Sequence, residues 1–224
     1  MSFCGIICEY NPLHFGHIYH MQKTREIIKD LKGLICVMSG NFVQRGEIAV
    51  ADKYTRAKWA ILAGADIVLE LPTVFAVSPA KDLAYGGINI LSHINGVKYL
   101  SFGSEYGDIE KLKDFAKKLN DADISKQLKS GVSYASAFSQ SGMYQSNNIL
   151  GAEYLSAINQ LGADIISVTI KREGGYNDLS GTGGFMSASA IRNMLCGGNY
   201  GSVSCSVPDY VYDDLTGFKH CEDA

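Results

Sequence analysis

The 224-residue sequence contains no apolar run long enough to span a bilayer and no basic, signal-like N-terminus. We therefore expect a cytoplasmic protein that does not insert into a membrane. Its six cysteines include no C-x-x-C pair, and their low density argues against a disulfide scaffold. The 20 basic and 23 acidic residues give a net charge of −3, so bulk charge does not indicate nucleic-acid binding, although a local basic patch stays open.

Short apolar runs alternate with helical stretches along the chain. The sequence predicts strands at 3–9, 34–38, 67–71, 97–102 and 164–170. It predicts helices at 17–31, 52–63, 80–93, 108–119, 123–139, 148–161 and 187–196. This alternation is typical of an α/β fold, a Rossmann-like open parallel sheet with helices on both faces. In such sheets the ligand lies beyond the carboxyl ends of the strands.

The most informative segment is 9–17, where a glycine-bearing turn with two histidines separates the first strand from a helix. A helix N-terminus attracts anions, and Gly16 lets the backbone approach a ligand closely. His14 and His17 lie one turn apart, so both can donate to one phosphate during adenylyl transfer. The alternative is two surface histidines at a turn.

His20 extends the histidine spacing and raises the possibility of a metal site. A zinc site would need a fourth ligand and cysteine or carboxylate partners, and the sequence offers none nearby. We therefore expect no metal held by protein side chains.

A second helix start, Ser187–Arg192, follows a strand and a glycine-rich loop. Ser187 or Ser189 can cap the helix, which leaves N–H groups for phosphate, with Arg192 one turn in. Lys171 and Arg172 end the last predicted strand and can also bind phosphate. The alternatives are an ordinary helix cap and solvated basic residues.

Two further loops at strand ends are candidates for substrate contacts. Ser39, Gly40, Asn41 and Arg45 follow the second strand and can line a substrate pocket, with Arg45 as an anion partner. The alternative is a plain surface loop.

Gly103 follows the fourth strand, where a bare backbone can approach an adenine or ribose. Asn147 and Asn148 precede a helix and are equally well explained as an N-cap.

Taken together, these motifs resemble the bacterial tRNA(Met) cytidine acetate ligases, of the nucleotidyltransferase-like HIGH superfamily. The resemblance covers nearly the whole chain and is carried by residues 5–12, 14, 17, 38–47, 52–53, 69–72, 102–105, 147–151, 170–172 and 187–192. It implies a fold of the nucleotidyltransferase type. It also implies ATP, with Mg²⁺, and acetate as substrates of a first step that forms acetyl-adenylate. The acetyl group then passes to N4 of the wobble cytidine of elongator tRNA(Met), giving N4-acetylcytidine.

The resemblance also implies roles for individual residues. His14, His17 and Arg192 are expected to be catalytic. ATP is expected to contact Ile7, Glu9, Tyr10, Asn11, Pro12, His14, Gly16, His17, His20, Gly103, Asn147, Asn148, Lys171, Arg172, Ser187, Ser189 and Arg192.

The sequence departs from the family pattern in two places. Phe15 stands where a small polar residue is usual. Family members are also longer and carry a C-terminal helical region that helps hold tRNA. We therefore expect residues 1–196 to form the catalytic domain and 197–224 to be a C-terminal tail, a remnant of that region. Either the chain is a shortened member of the family, or the missing region lies on another polypeptide or outside this chain. The alternatives are a nucleotidyltransferase acting on a small phosphorylated substrate and an inactive nucleotide-binding paralogue.

Overall fold

The computed structural model describes residues 2–119, 145–172 and 185–217 of the chain. Within them, one five-stranded parallel sheet has the order β3-β2-β1-β4-β5. The strands are β1 (Ser2–Cys8), β2 (Leu31–Ser39), β3 (Ile67–Leu71), β4 (Val97–Ser104) and β5 (Ile166–Lys171). The helices are α1 (Phe15–Ile27), α2 (Lys53–Leu62), α3 (Thr73–Ala76), α4 (Ala80–Ser92), α5 (Ile109–Leu119), α6 (Ser146–Leu161), α7 (Ala188–Cys196), α8 (Tyr200–Val203) and α9 (Asp209–Gly217).

The strand order places a switch point between β1 and β4. The chain builds outward from β1 through β2 to β3, and then returns to add β4 and β5 on the other side. Loops from neighbouring strands diverge at such a point and leave a crevice at the carboxyl ends. The five strands predicted from sequence are confirmed, with bounds that differ by at most three residues. The helix predicted over 123–139 lies outside the described residues.

Helices cover both faces of the sheet, as predicted. Alternate residues of β2 point to opposite sides, because successive side chains of a strand do so. Leu34 belongs to a core that includes the fully buried Trp59 of α2. Ile35 belongs to the second core, which includes Ile88 of α4. Burial on both faces explains why the strands are continuous apolar runs.

The residues after Cys196 continue the domain as far as Gly217. Val203, Val207 and Val211 are fully buried in the same core as Trp59. The indole Nε1 of Trp59 also donates to Asp214 at 2.8 Å. The described part of the predicted C-terminal tail therefore packs against the sheet domain, and the domain boundary at residue 196 stays a prediction. Short helices separated by a turn and Pro208 give too brief a periodic pattern for the sequence to reveal them.

None of the helices in the described part of the chain combines the length and apolar character that a membrane span requires.

Candidate functional site

The histidine turn after β1 is held by its own two imidazoles. His14 is the N-cap of α1, and its Nδ1 accepts a hydrogen bond from the N–H of Gly16 at 3.1 Å. The Nδ1 of His17 accepts from the N–H of His14 at 3.3 Å, which completes a capping box. An imidazole nitrogen that accepts carries no proton, so both rings have their proton on Nε2. Each ring therefore keeps one donor for a ligand.

The surroundings of these histidines keep them neutral. Burial and, to a smaller extent, the nearby Arg172 lower the pKa of His14 to about 3. Burial also takes the pKa of His17 well below its usual value, with added effects of His14, Arg172 and His20. The two ring centroids are only 3.8 Å apart, a distance at which two imidazolium cations would repel strongly. The pair thus offers neutral hydrogen-bond donors, not positive charges.

His20 takes part in an internal hydrogen-bond chain. Its Nε2 lies 2.9 Å from the Oγ of Ser101, which lies 2.7 Å from the Oγ1 of Thr24. Burial and then Arg172 lower the pKa of His20 to about 4. This ring links α1 to β4 beneath the turn. Its contact with ATP stays a prediction.

The loop residues between β1 and α1 also fix the turn. The Oδ1 of the buried Asn11 accepts from the N–H of Val50 at 2.7 Å. A carboxylate oxygen of Glu9 accepts from the N–H of Gln44 at 2.9 Å, and burial raises the pKa of Glu9. Tyr10 has a φ of 48° and packs the edge of its ring against His17, 4.9 Å between centroids. These side chains therefore tie the histidine loop to the loop after β2.

Arg56 of α2 is a site residue that sequence reasoning missed. It is fully buried. Its guanidinium donates to the carbonyls of Glu9 (2.6 Å), Ser39 (3.1 Å), Gly40 and Ala51 (3.0 Å). Buried charges need such hydrogen bonds to offset desolvation. The Arg56 guanidinium thus holds the loops after β1 and β2 against the start of α2. The sequence gives no indication of this role, because an arginine on an amphipathic helix is normally expected to point into solvent.

The second helix start lies beside the histidine loop. Ser187 caps α7, its Oγ accepting from the N–H of Ala190 at 3.2 Å. Arg192 donates from Nη1 to the carbonyl of Asn11 at 2.7 Å and from Nη2 to Ser189 at 3.4 Å. The two motifs, far apart in sequence, therefore meet at one edge of the sheet.

The β4 and β5 ends complete this edge. Arg172 follows β5 and lies near enough to the three histidines to lower their pKa values. A Cβ on Gly103 would lie 3.2 Å from the Cγ of Arg172, so a bare backbone suits the close approach. Lys171 is exposed at the end of β5.

Asn147 and Asn148 lie in the first turn of α6 and are tied to Glu105, whereas the N-cap position is held by Gln145, so the N-cap interpretation is wrong. The Glu105 carboxylate accepts from Asn147 Nδ2 at 2.7 Å and from the N–H of Asn148 at 3.0 Å. The Oδ1 of Asn148 in turn accepts from the N–H groups of Glu105 and Tyr106, both at 3.1 Å. These bonds give the asparagines a structural role at the α6 start. A contact with nucleotide stays a prediction.

The four predicted substrate-pocket residues are spread over different environments. Ser39 is buried at the end of β2, whereas Arg45 is exposed at a loop tip with a φ of 71°. A Cβ on Gly40 would clash with the carboxylate of Glu70. Asn41 accepts from the N–H of Lys53 at 2.9 Å. Their grouping as one substrate pocket stays a prediction.

Among residues 2–119, 145–172 and 185–217, no three histidine, cysteine or acidic side chains cluster as a metal site would require.

A parallel sheet with paired histidines at one helix start and a serine–arginine helix start beside it defines an α/β domain of the nucleotidyltransferase type. The family model described as HIGH Nucleotidyl Transferase matches residues 1–222, and the chain belongs to that family. The family and fold expected from the resemblance are confirmed.

Curated relatives include the tRNA(Met) cytidine acetate ligase of Clostridium novyi, 44% identical over 87% of this chain and 54% of its own length. A Thermoanaerobacter protein of the same name is 40% identical over 96% of this chain and 58% of its own length. The chain thus spans about half the length of the curated relatives it matches. A crystal structure of Thermotoga maritima TmcAL bound with alpha-thio ATP matches with a TM-score of 0.82 at 38% identity, over 99% of this chain and 56% of the other.

Proposed function

We propose that this chain activates acetate with ATP and supplies it for acetylation of tRNA. ATP and acetate form acetyl-adenylate and release pyrophosphate. The acetyl group then moves to N4 of the wobble cytidine of elongator tRNA(Met), and AMP leaves. The names of the curated relatives and the ATP analogue bound to the Thermotoga maritima protein support this proposal.

The observation that carries the proposal is the pair of neutral histidines whose Nε2 protons remain available at the start of α1. In the first step an acetate oxygen attacks the α-phosphorus, and the bond to the bridging oxygen of pyrophosphate breaks. Negative charge then builds on the α-phosphate oxygens. Fixed donors aimed at that charge lower the barrier without having to reorganise.

Cations at the same edge suit the rest of the triphosphate. In this proposal Lys171, Arg172 and Arg192 bind phosphate oxygens, with the start of α7 as an additional anion site. ATP enters as its Mg²⁺ complex, with the ion held on the phosphates. Gly103 and the two asparagines in the first turn of α6 face the nucleoside, and the end of β2, at Ser39 and Gly40, receives acetate. We place this activity in the cytoplasm.

The test is incubation of the protein with ATP, radiolabelled acetate and bulk bacterial tRNA. Label is expected in N4-acetylcytidine of tRNA(Met), and acetate-dependent pyrophosphate exchange is expected without tRNA. The control is an Arg25→Gln variant, whose guanidinium pairs with Asp66 away from the site. Exchange that ignores acetate but requires a phosphorylated small molecule would favour a nucleotidyltransferase instead. If no acceptor supports pyrophosphate exchange, the result would favour an inactive nucleotide-binding paralogue.

A further inference from the structure

The loop after β2 forms a short hairpin, residues 41–49, which the adenylate chemistry leaves largely unused. Its backbone is closed by bonds from the N–H of Val43 to the carbonyl of Glu47 (2.9 Å) and from Ala49 to Asn41 (3.0 Å). Phe42 and Ile48 pair between these bonds as an antiparallel bridge. The 41–49 hairpin is therefore a defined element with two faces.

The 41–49 hairpin is fixed relative to the histidine turn. Glu9 accepts from the N–H of Gln44 within the hairpin, and Asn11 accepts from Val50 directly after it. The buried guanidinium of Arg56 binds the carbonyls of Gly40 and Ala51, which flank it on both sides. Because these anchors come from the histidine loop itself, any group on the hairpin has a set position beside the candidate site.

The outer face of this anchored hairpin exposes an aromatic ring and a cation. Phe42 is 46% exposed and Ile48 78% exposed, whereas Val43 is buried beneath them. Arg45 stands exposed at the tip, and in the described part of the chain it has no ion pair within 4.0 Å. The nearby Glu47 instead lies 3.9 Å from Arg192. An exposed ring on an anchored hairpin, with an available guanidinium nearby, is a typical platform for an unstacked nucleotide.

We propose that the 41–49 hairpin is the subsite for the nucleotide that accepts the acetyl group. The ring of Phe42 stacks on a base turned out of a single-stranded RNA loop, and Arg45 pairs with a neighbouring phosphate. Stacking fits the exposed ring, and a guanidinium fork fits a phosphate. This inference rests on the proposed function, since it names where that function receives its RNA substrate.

A binding experiment tests the stacking contact directly. Trp59 is the only tryptophan and is fully buried, so Phe42→Trp adds the one exposed indole signal among the described residues. The probe is the anticodon stem-loop of elongator tRNA(Met), compared with fully paired duplex RNA. We expect saturable quenching by the stem-loop, weakened by Arg45→Ala and unchanged by Lys29→Ala. Equal quenching by the duplex, or none, overturns the proposal. A concentration-dependent blue shift without RNA indicates a protein contact and also overturns it.

A kinetic experiment separates this inference from the proposed function. Phe42→Ala and Phe42→Leu should lower kcat/KM for tRNA acetylation by about 5- to 150-fold, as loss of one base–aromatic stack does. Acetate-dependent pyrophosphate exchange should keep its wild-type rate. Ile27→Ala, an exposed apolar residue at the far end of α1, is the control for both assays. Normal acetylation by both Phe42 variants overturns the inference. Loss of exchange in the wild-type protein instead overturns the proposed function, while the fluorescence assay still tests the hairpin.

Discussion

Arg192 donates a hydrogen bond from Nη1 to the backbone carbonyl of Asn11 at 2.7 Å, joining α7 to the histidine loop across 181 residues of sequence. We expect Arg192→Gln to lower acetate-dependent pyrophosphate exchange by roughly 10²- to 10³-fold, because the anchor and the cation proposed to bind phosphate are lost together. Arg192→Lys keeps the charge without the planar fork and should retain more activity. Equal rates in both variants and the wild type would contradict a role in the site.

Because the two ring nitrogens of His17 have different roles, we expect His17→Asn and His17→Gln to have different effects. An asparagine amide can replace Nδ1, which accepts from the N–H of His14, whereas a glutamine amide reaches the position of Nε2. We expect His17→Asn to slow pyrophosphate exchange by about 10²- to 10³-fold, with little change in ATP affinity. His17→Gln should recover part of the rate. The reverse order would show that the capping bond, not the outward donor, matters most.

Stability should fall at acidic pH because the histidines are buried in neutral form. The pKa of His20 is about 4 in the folded protein, and an unfolded histidine has a pKa near 6.5. Below about pH 6.5 the unfolded chain therefore binds more protons at this histidine than the folded protein does. This contribution is therefore fully present above about pH 6.5 and is lost as the pH falls towards 4.

Urea unfolding at about pH 7 and about pH 5 measures this effect. We expect the wild type to lose about 2 kcal/mol more than His20→Gln does between these values. The exposed His93, at the end of α4, provides the matched control, His93→Gln. An identical loss in the wild type and His20→Gln would argue against a neutral, buried imidazole.

Arg56 and Lys58 lie on one helix but differ in their surroundings. Arg56 is fully buried on backbone carbonyls, whereas the Lys58 side chain is 56% exposed and contacts Asp214 at 3.1 Å. We expect Arg56→Met to cost about 3 kcal/mol or more of unfolding free energy, since several buried carbonyls lose their donor. Lys58→Met should cost less than about 1 kcal/mol. Denaturant unfolding measures both, and similar small losses would contradict the anchoring role.

The sequence predicts this fold well where the pattern is long and periodic. The strands 34–38 and 67–71 are continuous apolar runs separated by the predicted helix 52–63, so the α/β order follows. The helices α8 and α9 escape prediction because each covers few turns. The role of their apolar residues, such as Val203 and Val211, becomes visible only in the structure, where they share a core with Trp59.

The candidate site is predicted only in part, for a physical reason. Histidines at a helix start and Arg192 one turn into another form local patterns that a sequence displays. Arg56 has no such pattern, because its desolvation arises from segments that are distant along the chain. Asn148 likewise reveals its bonds to the β4 loop only in three dimensions.

The most direct test of acetate activation is to follow oxygen from acetate into AMP. The protein is incubated with ATP, ¹⁸O-labelled acetate and tRNA, and the AMP formed is analysed by mass spectrometry. If an acetate oxygen attacks the α-phosphorus, acetyl transfer leaves that oxygen on AMP, so one ¹⁸O per AMP is expected, together with pyrophosphate. AMP without the label, or ADP in place of AMP and pyrophosphate, would contradict the proposed chemistry.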